Sequence, residues 1–163
     1  MVDQKALNPE AERTLKQARR AGSRLAAVQA LYQMEQTGQS TNAVIADFME
    51  DRLGLNDEGE PIEEADPDFF KWIVNGTVER QEEVDRAIMK RLAEGWKIDR
   101  LDATSRAILR AGVHELIADH GTPTEIILAE YVGIAHAFFE GVEPKFINGL
   151  LDGVTRDVRA PKA

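Results

Sequence analysis

The sequence has no cysteine, which excludes disulfides, thiolate metal sites and a cysteine nucleophile. It has no run of alternating β-branched residues bounded by turn pairs, so strands are not expected. Long hydrophobic runs are also missing. The most apolar stretch, residues 126–142, is interrupted by Glu130, His136 and Glu140 and is too polar for a membrane span. The opening MVDQKALNPEAER lacks the apolar core of a secretory signal, so a cytoplasmic, soluble chain is expected. Positive charge is in deficit: 20 Lys+Arg stand against 29 Asp+Glu, a net charge of −9. A net anion repels a polyanion, which argues against a general nucleic-acid binder.

Catalytic patterns are absent too. His114, His120 and His136 lack the spacing of a zinc helix, and packing or surface roles suit them better. The glycines fall singly or at helix ends rather than in a phosphate loop. Ser23, Ser40 and Ser105 occupy no nucleophile elbow. The acidic residues of 47–68 do not follow the calcium-loop pattern. The expectation is a protein that is not an enzyme and needs no metal or cofactor.

The charge is unevenly placed. Residues 41–70 carry ten acids and one base, which accounts for the whole net charge, whereas residues 1–40 carry six bases and four acids. Between Glu12 and Glu35 there is no acid, and Arg13, Lys16, Arg19, Arg20 and Arg24 lie there. At physiological ionic strength the Debye length is about 8 Å, so this stretch is screened from a distant acidic loop.

Helical periodicity runs through most of the chain, and the fold class is expected to be all-α. Asn8 and Pro9 open a helix over 9–36, closed by Gly38, with Leu25, Val28 and Tyr32 as its apolar face. A short helix follows at 41–53. Asp66-Pro67-Asp68 opens a long helix over 66–93, with Gly76 marking a close helix contact. A turn is expected near 96–100, then a helix over 102–119 capped by Asp102. Thr122-Pro123-Thr124-Glu125 reads as a capping box for a helix over 123–140. That helix is apolar on most sides, as a central buried helix would be. Pro144 starts the last helix, to about 159. Residues 1–8 are expected to be a disordered tail and 54–65 a solvated acidic loop. About seven helical segments in a single domain spanning 1–163 make a compact bundle.

Two clusters carry binding chemistry. Arg13, Arg20 and Arg24 recur at i, i+7 and i+11, within about 40° on a helix, and Arg19 and Lys16 widen that stripe. Arginine forks suit phosphates, and Gln29 and Tyr32 farther along could read or stack on bases. A second cluster is Lys145-Phe146-Ile147-Asn148-Gly149, where Lys145 and Asn148 share a face. Solvated helix faces are the competing reading of both.

Four blocks in order resemble the NusB family of bacterial transcription antitermination factors. They are Ala18-Arg19-Arg20 with Ala27-Val28-Gln29-Ala30-Leu31-Tyr32, Ala107-Ile108-Leu109-Arg110 through Leu116, Leu128-Ala129-Glu130, and Lys145-Phe146-Ile147-Asn148-Gly149-Leu150-Leu151-Asp152. The resemblance implies two small helical bundles packed together. It implies binding of single-stranded boxA RNA with the ribosomal protein NusE, in an RNA polymerase antitermination complex active notably in ribosomal RNA transcription. It also allows a homodimer. Carried over position by position, it points to Arg19, Arg20, Arg24, Gln29, Tyr32, Lys145, Phe146 and Asn148 for RNA. For the protein partner it points to Tyr32, Ser105 and Arg110. Ala21, Gly22, Ser105 and Ala129 depart from the family pattern, the first two at arginine positions, Ser105 at a partner-contacting glutamate. A helical protein-interaction scaffold without direct RNA binding is the alternative from a different class.

Overall fold

Residues 8–51, 53, 58–60 and 65–159 are described by the structure, a computed structural model. The expected tail at 1–8 and acidic loop at 54–65 lie mostly outside them. The described residues form seven α-helices and one 3-10 turn, with no strand, as an all-α reading requires.

The helix starts follow from local chemistry. In α1 (Pro9–Thr37) the Asn8 side chain accepts from the Ala11 N–H at 2.7 Å, and Gly38 closes the helix at φ 75°. In α2 (Thr41–Glu50) the Ser40 hydroxyl takes the cap. This helix stops three residues short of the expected 53, and buried Leu53 sits in left-handed backbone at φ 66°. Asp66 caps α3 (Pro67–Glu79) through the N–H groups of Asp68 and Phe69.

The long helix expected over 66–93 is two. Arg80 leaves helical geometry at φ −100° and ψ 15°, and α4 (Gln81–Arg91) starts afresh with Glu82 and Glu83 at its positive end. The cause is tertiary: α3 packs on α1 and α2, whereas α4 packs on α7, and one straight rod cannot follow both directions. A 3-10 turn, Ile98–Arg100, precedes α5 (Ala103–Ala118), which Asp102 caps at 2.9 Å from the Ser105 N–H. The chain then forms α6 (Thr124–Phe138) and α7 (Glu143–Val158).

The capping box at Thr122 does not form. Pro123 stands at the N-cap with no side-chain bond, and the Thr122 hydroxyl instead donates to Asp119 at 2.6 Å. Nor is the helix after it the central one. That place belongs to α5, which packs against α1, α3, α4, α6 and α7 and buries ten of its sixteen residues. In α6 only Ile127, Tyr131, Ile134 and Ala135 are buried, and Ile126 and Phe138 face outward. On α1 the buried face is built from Ser23, Arg24, Ala26, Ala27, Val28 and Ala30, so Tyr32 is not part of the core.

Three pairings set directions. Arg20 meets Asp119, Arg24 meets Glu115 and Glu35 meets Arg106, so α1 runs antiparallel to α5. The Gly112 backbone faces Leu151, and Arg159 donates to the Leu116 carbonyl at 2.8 Å, so α7 runs parallel to α5. Small residues allow the close approach. A Cβ on Gly76 would lie 2.2 Å from the His114 ring, as the expected close contact requires.

Two outcomes follow from this packing. Gly76→Ala overpacks the α3–α5 contact and is expected to cost about 1–3 kcal/mol, measured by urea unfolding. His114 is buried, and burial, with the Arg80 charge behind it, lowers its imidazole to about 4 from 6.5. Below pH 6.5 the unfolded chain takes up a proton that the folded chain refuses. Stability should therefore fall by about 3 kcal/mol between pH 6.5 and 4 from this group. In His114→Gln the unfolding midpoint should lose that much less over the same range, and an unchanged slope would refute the assignment.

Candidate nucleic-acid interface

The arginines of α1 divide into those that hold the fold and those that face solvent. Arg24 belongs to the first group. Its side chain is 2% exposed, with Nε 2.8 Å and Nη2 2.6 Å from the two carboxylate oxygens of Glu115. The Tyr131 hydroxyl donates to the same carboxylate at 2.8 Å. One residue each from α1, α5 and α6 thus closes a buried polar network. Burial opposes the Arg24 charge, but the hydrogen bonds and charge of Glu115 outweigh it and raise the guanidinium above its ordinary value. Burial, reinforced by Glu115, pushes the Tyr131 phenol well above its ordinary range, which keeps it a donor. Arg24 is therefore withdrawn as a phosphate contact, because its donors are already aimed inward.

Arg20 is intermediate. It stacks over the Phe69 ring at 3.7 Å and reaches Asp119 at 3.4 Å and Thr122 at 3.3 Å, leaving part of the guanidinium open. Arg13, Lys16 and Arg19 are exposed, and their side chains make no ion pair among the described residues. Of the expected stripe, these three are the cations free to meet an anion.

Gln29 and Tyr32 line a separate groove of about 430 Å³ between α1 and α2, shared with Asp47 and Phe48. Tyr32 is 41% exposed, since its position on α1 falls outside the face that packs on α5. It lies thirteen residues, or about 20 Å of helix, beyond Arg19.

The last cluster opens α7 at the other end of the molecule from Arg13, where α5 begins. Lys145, Phe146 and Asn148 are exposed, while Ile147, Leu150 and Leu151 turn inward. Phe146 lines a mostly apolar groove of about 360 Å³ with Trp96, Leu101 and Val142. Ser105 lies in the same groove, but it is buried, and its Oγ has no hydrogen-bond partner. Arg110 is committed elsewhere: both arms of its fork bind Asp85, at 2.9 and 3.0 Å, and it reaches Glu35 at 3.3 Å. It ties α1, α4 and α5 together and presents little to a partner. Glu35 is held below its ordinary pKa chiefly by its hydrogen bond from Arg106.

The exposed site residues therefore form three surfaces rather than the two clusters expected. Sequence reasoning missed Trp96 and Val142, which are 52% and 76% exposed and wall the Phe146 groove. A large aromatic directly after Gly95, in a break between helices, was the available signal. It also missed Glu115, a carboxylate set in the apolar stripe of α5.

The sequence profile of the NusB family matches residues 21–156. The chain belongs to the NusB family. It is 60% identical to the transcription antitermination protein NusB of Hyphomonas neptunium over 143 residues, covering 88% of this chain and 93% of the relative. It is 51% identical to the protein of that name from Caulobacter vibrioides, covering 86% and 94%. Among solved structures it resembles T. maritima NusB, with TM-score 0.70 and 26% identity over 87% of this chain and 93% of that one. It also resembles a chain in a crystal structure of antitermination factors NusB and NusE in complex with double-stranded RNA, with TM-score 0.71 and 26% identity over 85% and 96%. Arg13, Lys16, Arg19 and Arg20 of α1 all precede the matched span.

Removing one partner of a buried ion pair strands the other charge, at a cost of about 3–5 kcal/mol. Arg24→Ala should lower stability by that amount in a denaturant titration. Arg19→Ala should leave stability within about 0.5 kcal/mol, as exposed positions do.

Proposed function

We propose that this chain is a transcription antitermination factor that binds single-stranded boxA RNA jointly with the ribosomal protein NusE. In this role it supports processive transcription by RNA polymerase, notably of ribosomal RNA. It works without catalysis or cofactor, as a cytoplasmic protein. The observation that carries the reading is the likeness to proteins named for antitermination, at 51–60% identity across most of their length. Likeness to a chain solved with NusE and RNA supports the two partners.

In mechanistic terms, Arg19, Lys145 and the open part of Arg20 hold phosphates. Gln29, Tyr32, Phe146 and Asn148 contact bases or sugar. Tyr32 and Phe146 stand exposed with no packing role, which suits stacking on unpaired bases. The Phe146 groove, floored by Ser105, receives apolar side chains of the protein partner, while Arg110 holds α5 in place beneath it. Where the family pattern has a glutamate, the unpartnered Ser105 hydroxyl makes docking here less dependent on charge. The cations assigned to the RNA are few and widely spaced, so RNA held by this chain alone is held weakly. A second protein on the same RNA supplies the remaining contacts.

A gel-shift titration with boxA RNA, with and without NusE, tests this. NusE should tighten RNA binding. Arg19→Ala combined with Lys145→Ala should make the slope of log K against log salt shallower by about 1.4, since two phosphates of the single-stranded RNA are then no longer neutralised. Association with NusE that RNA does not strengthen, together with an unaltered slope, would favour a protein scaffold instead.

A further inference from the structure

The first three turns of α1 precede the span that the family profile matches, which begins at Ala21 of this chain. They form one wall of a cleft of about 620 Å³ whose other wall is the start of α6. Arg13, Lys16, Gln17 and Arg20 line the α1 wall, Arg20 paired with Asp119 at the end of the cleft, and Glu125, Ile126 and Glu130 line the other. Lys16 also lines a second cleft, of about 470 Å³, together with Arg19. Lys16 thus stands between the two clefts, with Arg13 in one and Arg19 in the other, where Glu12 and Asp66 also line the wall. Ile126 offers an exposed apolar surface across from Arg13 and Lys16.

The two walls differ in kind, and that selects the occupant. With Arg24 held by Glu115, a simple anion meets Arg13, Lys16 and Arg20 on one side and Asp119, Glu125 and Glu130 on the other, and gains little. A duplex, with phosphates along both edges, sets one of them against Glu125 and Glu130. A single-stranded nucleotide has its charge on one side and an apolar base on the other. Its phosphate fits the α1 wall, its ring lies on Ile126, and an exocyclic amino group donates to a carboxylate, as cytosine does to Glu in groove readout. The volume is within the ordinary range of ligand clefts.

Resting on the RNA reading above, we propose that the N-terminal turns of α1 and the start of α6 form an accessory groove. It binds the single-stranded flank of the RNA, beyond the element held at Arg19, Tyr32 and Lys145. Residues with amino-bearing bases, cytidine or adenosine, are preferred there over uridine.

The test uses the full-length chain and its Arg13→Ala/Lys16→Ala variant. Both substituted positions are exposed, and helix content by circular dichroism checks the fold. The probes are a single-stranded boxA RNA and the same RNA extended by about three cytidines at either end. For the wild type, extension at one end should tighten binding about three- to tenfold, and extension with uridines should help less. The variant should lose that gain and have a salt slope shallower by about 1.4 on the extended RNA, with unchanged affinity for the short one. Equal binding of the extended RNA by both proteins overturns the proposal, as does no gain from extension in the wild type. An equal gain from a duplex extension overturns it too. Weaker association of the variant with NusE in the absence of RNA overturns it in favour of a protein-docking cleft. Failure of the wild type to bind even the short RNA with NusE present overturns the underlying RNA reading instead.

Discussion

The Arg24 guanidinium, enclosed with Glu115 and Tyr131, is the constraint on which the rest of the structure depends. A charge at this depth is tolerated only with its partner in place and hydrogen-bonded. That requirement fixes the rotation of α1 about its own axis. With Arg24 aimed at α5, the alanines at 26, 27 and 30 pack inward beside it, and Tyr32 is turned outward. It also fixes the height at which α1 crosses α5, since a register slip of one turn would remove the carboxylate. A purely apolar contact would hold these helices together without setting either coordinate so firmly.

The same division governs the charge of the molecule. Several arginines that composition counts as positive surface are neutralised internally: Arg24 by Glu115, Arg110 by Asp85 and Arg91 by Asp157. Among the described residues, cations left open to an external anion include those at the exposed start of α1 and the start of α7, with Arg86, Lys97 and Arg100 elsewhere on the surface. The net charge of −9 then limits loose attachment to any passing polyanion. A ligand held here is held by position rather than by bulk attraction.

Much of this was legible in the sequence where the cause is local. Asn8, Asp66 and Asp102 announce helix starts because a cap needs only its own next three residues. Gly76 was read as a close contact, and the His114 ring fills the place of its Cβ, whereas Gly133 and Gly149 lie inside helices with open space above them. Lys145, Phe146 and Asn148 were legible as an outer face because Ile147, Leu150 and Leu151 set the phase of α7. Other features depend on distant residues. The break at Arg80 reflects which helices α3 and α4 pack on. An all-round apolar composition marked α6 as central, yet a buried helix and one with an exposed apolar side have the same pattern. The role of Arg24 could not be read from its own helix, because the carboxylate that claims it is 91 positions away.

That separation has a consequence for how the chain is made. Synthesis delivers α1 first, and its guanidinium must stay in water until Glu115 and then Tyr131 have emerged. α1, made well before α5 and α6, is therefore locked only after both have followed it. Until α5 is made its alanine-rich face lacks the central helix that covers it, and transiently exposed apolar surface of this kind favours aggregation. The contact that gives the finished molecule its definite arrangement postpones that arrangement until α6 has been made.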